Sequence, residues 1–167
     1  SNMSHAWGCS IQVRAVSAPA SSSEHSIISE LTSWSSGRAA GLRAFTVATG
    51  SPDDGTAADL HVMVKIKPRD EDVMAVGDRL AALCGDELGR QFSRFRLRTG
   101  VAQSHVRELA IYQQKDPRFT SHAPLLHGSV RDDRRHAWIL VLEELRAMEL
   151  MDSADDVSGW TRPHIES

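Results

Sequence analysis

The residues of this chain that bear most directly on chemistry centre on a lysine held inside an apolar, β-branched run. Val62-Met63-Val64-Lys65-Ile66-Lys67-Pro68 has the length and composition of a strand. By the period of two, Val62, Val64 and Ile66 share one face, and Lys65 projects from the other beside Met63 and Lys67. A lysine fixed on a sheet face offers its ammonium as a compact point charge suited to phosphate oxygens. It needs a carboxylate to hold it, and Glu108, in a helical segment forty-three residues further on, is the best candidate. Beyond it the apolar stretch Trp138-Ile139-Leu140-Val141-Leu142 closes on Glu143-Glu144. Together these residues suit the handling of a polyphosphate, because phosphoryl transfer is mostly positioning plus charge stabilisation. The plainer alternative is an edge-strand lysine that blocks aggregation of the sheet. Spacing alone does not choose between the two.

The elements that must position these residues follow from the pattern. Ile11, Val13 and Ala15 alternate with Gln12 and Arg14 as a short first strand, which Pro19 ends before the small-residue loop Ala20-Ser21-Ser22-Ser23. Residues 26–34 read as a second strand, with a short serine-capped helix as the alternative. Leu42 to Thr49 forms a strand, and Ser51-Pro52-Asp53-Asp54-Gly55 supplies turn chemistry for a hairpin with the strand at 60–67. Pro68 stops the ladder, since it has no N–H to donate. A helix then spans 70–91, opened by Asp70, Glu71 and Asp72 at the positive end of its dipole and carrying Val73, Val76, Leu80, Leu83 and Leu88 as its apolar stripe. A second helix covers 104–115, with Ser104 as its cap. Pro117 and Pro124 bracket a loop, and Leu125–Val130 with Ala137–Leu142 form another hairpin across Arg131-Asp132-Asp133-Arg134-Arg135. Strands, helices and a final hairpin in segregated order indicate an α+β domain: a twisted antiparallel sheet of about five strands with flanking helices.

Composition narrows the class. A chain of 167 residues, 41% hydrophobic and 25% charged, suits one soluble globular domain. A net charge of −3 argues against nucleic-acid binding, which usually brings a basic excess. Cys9 and Cys84 match no metal or redox spacing and fit a reducing compartment. No apolar run is long enough to span a bilayer and no signal peptide is visible, so the expected location is cytoplasmic, with no membrane partner. Ser1-Asn2 before Met3 reads as a tag remnant, outside the fold.

Taken in order, Val62–Pro68, Arg107-Glu108-Leu109-Ala110-Ile111-Tyr112, Pro124-Leu125-Leu126-His127-Gly128 and Leu140-Val141-Leu142-Glu143-Glu144-Leu145 resemble the nucleotide-binding lobe of the aminoglycoside phosphotransferase and choline kinase-like superfamily, whose fold is that of protein kinases. The resemblance spans about residues 10–165. It implies a kinase-like lobe over 4–145 and a hinge or linker over 146–167 leading to a second lobe. Lys65 would hold the α- and β-phosphates of ATP and Glu108 would hold Lys65. Backbone groups around Glu143, Glu144 and Leu145 would bind adenine, and the loop from Ser21 to His25, with Ser22 and Ser23, would cover the phosphates. The loop departs from the family in having no glycine. The family's His-Gly-Asp catalytic loop and magnesium-binding Asp are also missing from the sequence. Trp160 to Glu166 resembles the start of the helix that precedes that loop. The expectation is therefore the ATP-binding lobe of a phosphotransferase acting on a hydroxyl of a small molecule. Catalytic and Mg2+-binding residues would lie outside this chain, and the apolar face meant for the second lobe would favour a homodimer. The competing expectation is a non-catalytic kinase-like module that binds a partner or nucleotide.

Other features are better explained by structure. Arg90, Arg94, Arg96 and Arg98 interleave with Phe92, Phe95 and Leu97, which fits a solvated basic face with inward phenylalanines better than a nucleic-acid surface. His105, His122 and His127 form no tight ligand pair with a third donor. No Walker loop or nucleophile elbow occurs.

Overall fold

The computed structural model describes residues 12–17, 27–50, 57–146 and Arg162. Five strands, β1 (Gln12–Ser17), β2 (Gly41–Gly50), β3 (Ala57–Lys67), β4 (Leu126–Asp132) and β5 (Ala137–Glu143), form one antiparallel sheet in the order β1-β2-β3-β5-β4. The helices are α1 (Ile27–Ser36), α2 (Asp70–Cys84), α3 (Asp86–Phe95), α4 (Ser104–Gln113) and the single turn α5 (Pro117–Thr120). The domain is α+β. None of the described helices is long and apolar enough to cross a membrane.

Register decides which residues meet. β3 lies between β2 and β5, with Lys65 opposite Leu42 on one side and Leu140 on the other. Cross-strand partners share a sheet face. Met63, Lys65 and Lys67 therefore stand on the face that carries Leu142, Leu140 and Trp138. The alternation along β5 buries those three residues, and Leu109 of α4 packs on them to form the core cluster. The β3 lysines flank this core. Such a position is tolerable only if their charges find a partner.

Residues 26–34 do not form a strand; α1 occupies Ile27–Ser36. Its serines and threonine hide the helical period, yet they bond back to the preceding turn: Thr32 Oγ1 donates to the Ile28 carbonyl at 2.6 Å and Ser36 Oγ to the Thr32 carbonyl at 2.7 Å. Thr32 is fully buried. The expected helix over 70–91 is two helices, because Gly85 adopts φ 142°, a region that side-chain residues avoid. α3 folds back on α2 so closely that a Cβ on Gly77 would lie 2.5 Å from the Phe92 ring. Leu80, Leu83 and Leu88, placed in the apolar stripe, are exposed. Phe92 packs inward, but Phe95 is also exposed, with the Arg94 guanidinium 5.1 Å from its ring centre. Ser104 does not cap α4; the capping position is Gln103, in the left-handed conformation at φ 57°. The loop between Pro117 and Pro124 begins with α5, where Asp116 accepts a hydrogen bond from the Arg118 N–H at 2.9 Å. The Ser51–Gly55 turn lies outside the described residues.

Leu140 is completely buried in the sheet centre under α4. Leu140→Ala is expected to cost about 2–5 kcal/mol of unfolding free energy, read by urea or thermal denaturation. Truncation of the exposed Leu83 in the same assay should cost a small fraction of that.

Candidate functional site

Glu108 lies one turn into α4, on the side facing β3. Its carboxylate is shared: Oε1 lies 2.5 Å from Lys65 Nζ and Oε2 lies 2.6 Å from Lys67 Nζ. The chain contains only three lysines, so two of them converge on one acid. Burial alone would raise the Glu108 carboxyl, but hydrogen bonds and charge from Lys65 and Lys67 together outweigh it and hold the group below its ordinary range. The cluster carries one net positive charge. Lys65 is 31% exposed and Lys67 only 16%, so Lys65 is the cation that solvent and solutes reach more readily.

Lys65 opens into a cleft of about 510 Å³. Leu42, Met63 and Leu142 line it from the same sheet face, Tyr112 and Pro124 from the side, and Glu143 to Arg146 from the strand end. The walls near β2 and α4 are apolar, while the charges sit at Lys65 and along the Glu143–Arg146 segment. Tyr112 is one turn beyond Glu108 on α4, and its ring meets Phe119 of α5 edge-on at 5.8 Å. α5 thereby braces the side of the cleft.

A second carboxylate positions α4. Asp70, the first residue of α2, is buried and accepts hydrogen bonds from the Gln103 N–H, the Ser104 hydroxyl at 3.3 Å and His105 Nδ1 at 2.9 Å. The His105 ring lies 4.0 Å from that of Trp138, whose Nε1 donates to Asp133 Oδ1 at 2.9 Å. Asp70 thus supplies from another helix the N-terminal cap that α4 does not make for itself. This clasp sets the rotation and height of α4, and so the reach of Glu108 toward β3.

The sequence-derived site residues divide clearly. Lys65 and Glu108 are in direct contact, and Glu143, Glu144 and Leu145 line the same cleft as Lys65. The Glu143 N–H donates to the Leu125 carbonyl at 2.8 Å and the Glu144 N–H to the His61 carbonyl at 3.3 Å. Those two donors are therefore committed to the fold, which leaves the Leu145 N–H without an acceptor among the described residues. The Glu143 side chain accepts from the Leu125 N–H at 3.2 Å, and Glu144 pairs with Arg146 at 3.0 Å. Ser22 and Ser23 lie outside the described residues. Lys67, Tyr112 and Asp70 were not singled out from sequence as site residues. Lys67 was detectable from its two-residue spacing to Lys65, and Tyr112 from its helical spacing to Glu108. The role of Asp70 depends on a contact 33 residues away in sequence, which no local pattern marks.

Magnesium, which the family resemblance implies, finds no ligand set here: no group of three or more His, Cys, Asp or Glu among the described residues is arranged to hold a metal ion. His105 is engaged with Asp70, His122 is exposed, and His127 is buried, which lowers its pKa despite the nearby Glu143. Comparison with protein-family models, curated proteins and solved structures finds nothing that matches this chain.

Glu108→Gln would leave two ammonium groups facing a neutral amide, with an expected loss of roughly 1–2 kcal/mol after allowance for solvent screening. The sign with pH follows from the lowered carboxyl. Its stabilising contribution is fully present above its ordinary value of about 4.5 and disappears as pH falls through the lower folded value. Denaturant midpoints should therefore differ between wild type and Glu108→Gln at pH 7 and converge under stronger acid. A difference that persists or grows with acidification would contradict the assignment.

Proposed function

We propose that this chain is the ATP-binding lobe of a phosphotransferase that acts on a hydroxyl of a small molecule. The observation that carries this reading is the 2.5 Å pair between Lys65 on the third strand and Glu108 on a following helix, at the wall of an open cleft. In protein kinases a lysine on the third strand contacts nucleotide phosphates and is held by a helix glutamate, and both must be in place for transfer. The five-stranded antiparallel sheet and the segment Glu143-Glu144-Leu145 beside the same cleft support the reading. A cleft of about 510 Å³ is within the size range of small-molecule sites.

On this reading the base lies against Leu42, Met63 and Leu142, with its polar edge toward the Leu145 N–H. The phosphates extend toward Lys65. Lys65 orients the phosphates as a point charge, and Glu108 limits where that charge can go. The catalytic base and the magnesium ligands are assigned to a second lobe. The lobe by itself binds nucleotide without transferring phosphate. The alternative, a non-catalytic kinase-like module that binds a partner or nucleotide, would be favoured by a filled cleft or by a lysine and glutamate held apart; the cleft measures about 510 Å³ and the pair lies at 2.5 Å.

Isothermal titration with ATP, with and without magnesium, tests the reading. Saturable binding that weakens roughly tenfold or more in Lys65→Met, with the fold retained by circular dichroism, is the expected result. No saturable binding at millimolar ATP, or equal affinity in wild type and Lys65→Met, would overturn it.

A further inference from the structure

We propose that Lys67 is a positioning residue that keeps Glu108 neutralised, so that Lys65 is available to an anion in the cleft. The inference rests on the nucleotide reading above and goes beyond it, because a single lysine–glutamate pair needs no second cation.

A carboxylate paired with one lysine competes directly with any incoming phosphate for that lysine. Moving the lysine toward the phosphate would leave a half-buried carboxylate without a cation, which is costly. Glu108 avoids this conflict because its two oxygens are held separately, Oε1 by Lys65 and Oε2 by Lys67. Lys65 lines the cleft, whereas Lys67, two residues farther along β3, is not among the residues lining it and is the less exposed of the two. When Lys65 turns its ammonium toward a polyphosphate, Oε2 keeps its partner and Glu108 stays ionised in place. The net positive charge of the three-residue cluster also favours an anion over a neutral ligand. Pro68 ends β3 directly after Lys67, and the chain enters α2 at Asp70, the residue that clasps the start of α4. Lys67 and Glu108 are thus held from both sides of the same junction, while the Lys65 end remains open.

The test uses titration calorimetry of magnesium ATP and of inorganic triphosphate against wild type, Lys67→Met and Lys67→Arg. The expected result is a three- to tenfold weaker affinity for both ligands in Lys67→Met, on the order of one lost charge-assisted contact. Lys67→Arg should recover most of the loss. Labelling of the Lys65 amine by a small amine-reactive reagent, read by peptide mass, should also slow in Lys67→Met, because the full carboxylate then falls to Lys65. A structural role alone would lower the melting temperature without rescue of affinity by arginine. If Lys67→Met does not fold, Lys67→Gln takes its place. Wild-type affinity in a folded Lys67→Met or Lys67→Gln overturns the proposal and leaves the nucleotide reading standing. Failure of wild type to bind either ligand overturns both.

Discussion

A carboxylate shared by two lysines is the interaction on which this structure depends. The β3 register places Lys65 and Lys67 on the same face as Trp138, Leu140 and Leu142, which form the apolar core. Two ammonium groups beside such a core are tolerable only with a counter-charge, and α4 delivers it. Leu109 and Glu108, adjacent in sequence, divide the work: Leu109 seals the β5 core and Glu108 neutralises the neighbouring strand. The packing of α4 and the electrostatics of the cleft are therefore one problem with one solution. A shift of α4 that spoiled either contact would spoil both.

The second constraint is the Asp70 clasp. α4 begins without a side-chain cap of its own and with Gln103 in a left-handed conformation. Asp70 compensates by accepting from the Gln103 N–H, Ser104 and His105 at once, while His105 rests on Trp138 of β5. The start of α2, the start of α4 and the end of β3 are thereby joined around one buried carboxylate. The α2–α3 hairpin has a different character, with several of its large apolar side chains exposed.

Much of this was legible in the sequence, and the failures share a physical origin. The strand that carries Lys65, the helix that carries Glu108, the β2–β3 pair and the β4–β5 hairpin follow from apolar periodicity and turn chemistry, which are local signals. The pairing of Lys65 with Glu108 comes from the family resemblance. α1 escapes the sequence pattern because Thr32 and Ser36 satisfy themselves on helical carbonyls and mask the apolar period. The break at Gly85 was missed because the leucines on either side continue a helical spacing that the backbone does not follow. Ser104 looked like a cap because its type suits one, yet a tertiary acid took over that task. The double engagement of Glu108 was also hidden, since it requires two lysines and one helix to meet across a sheet.

On the proposed function, Lys65 faces a nucleotide-phosphate site. The most direct measurement is labelling with an acyl-phosphate derivative of ATP, in which a lysine amine attacks the acyl carbonyl, an amide forms and ATP leaves. Lys115, exposed at the end of the segment after α4, is a built-in control. Lys65 is expected to be acylated well ahead of Lys115, with excess ATP protecting Lys65 alone. Equal labelling of Lys65 and Lys115 with no protection by ATP would contradict it.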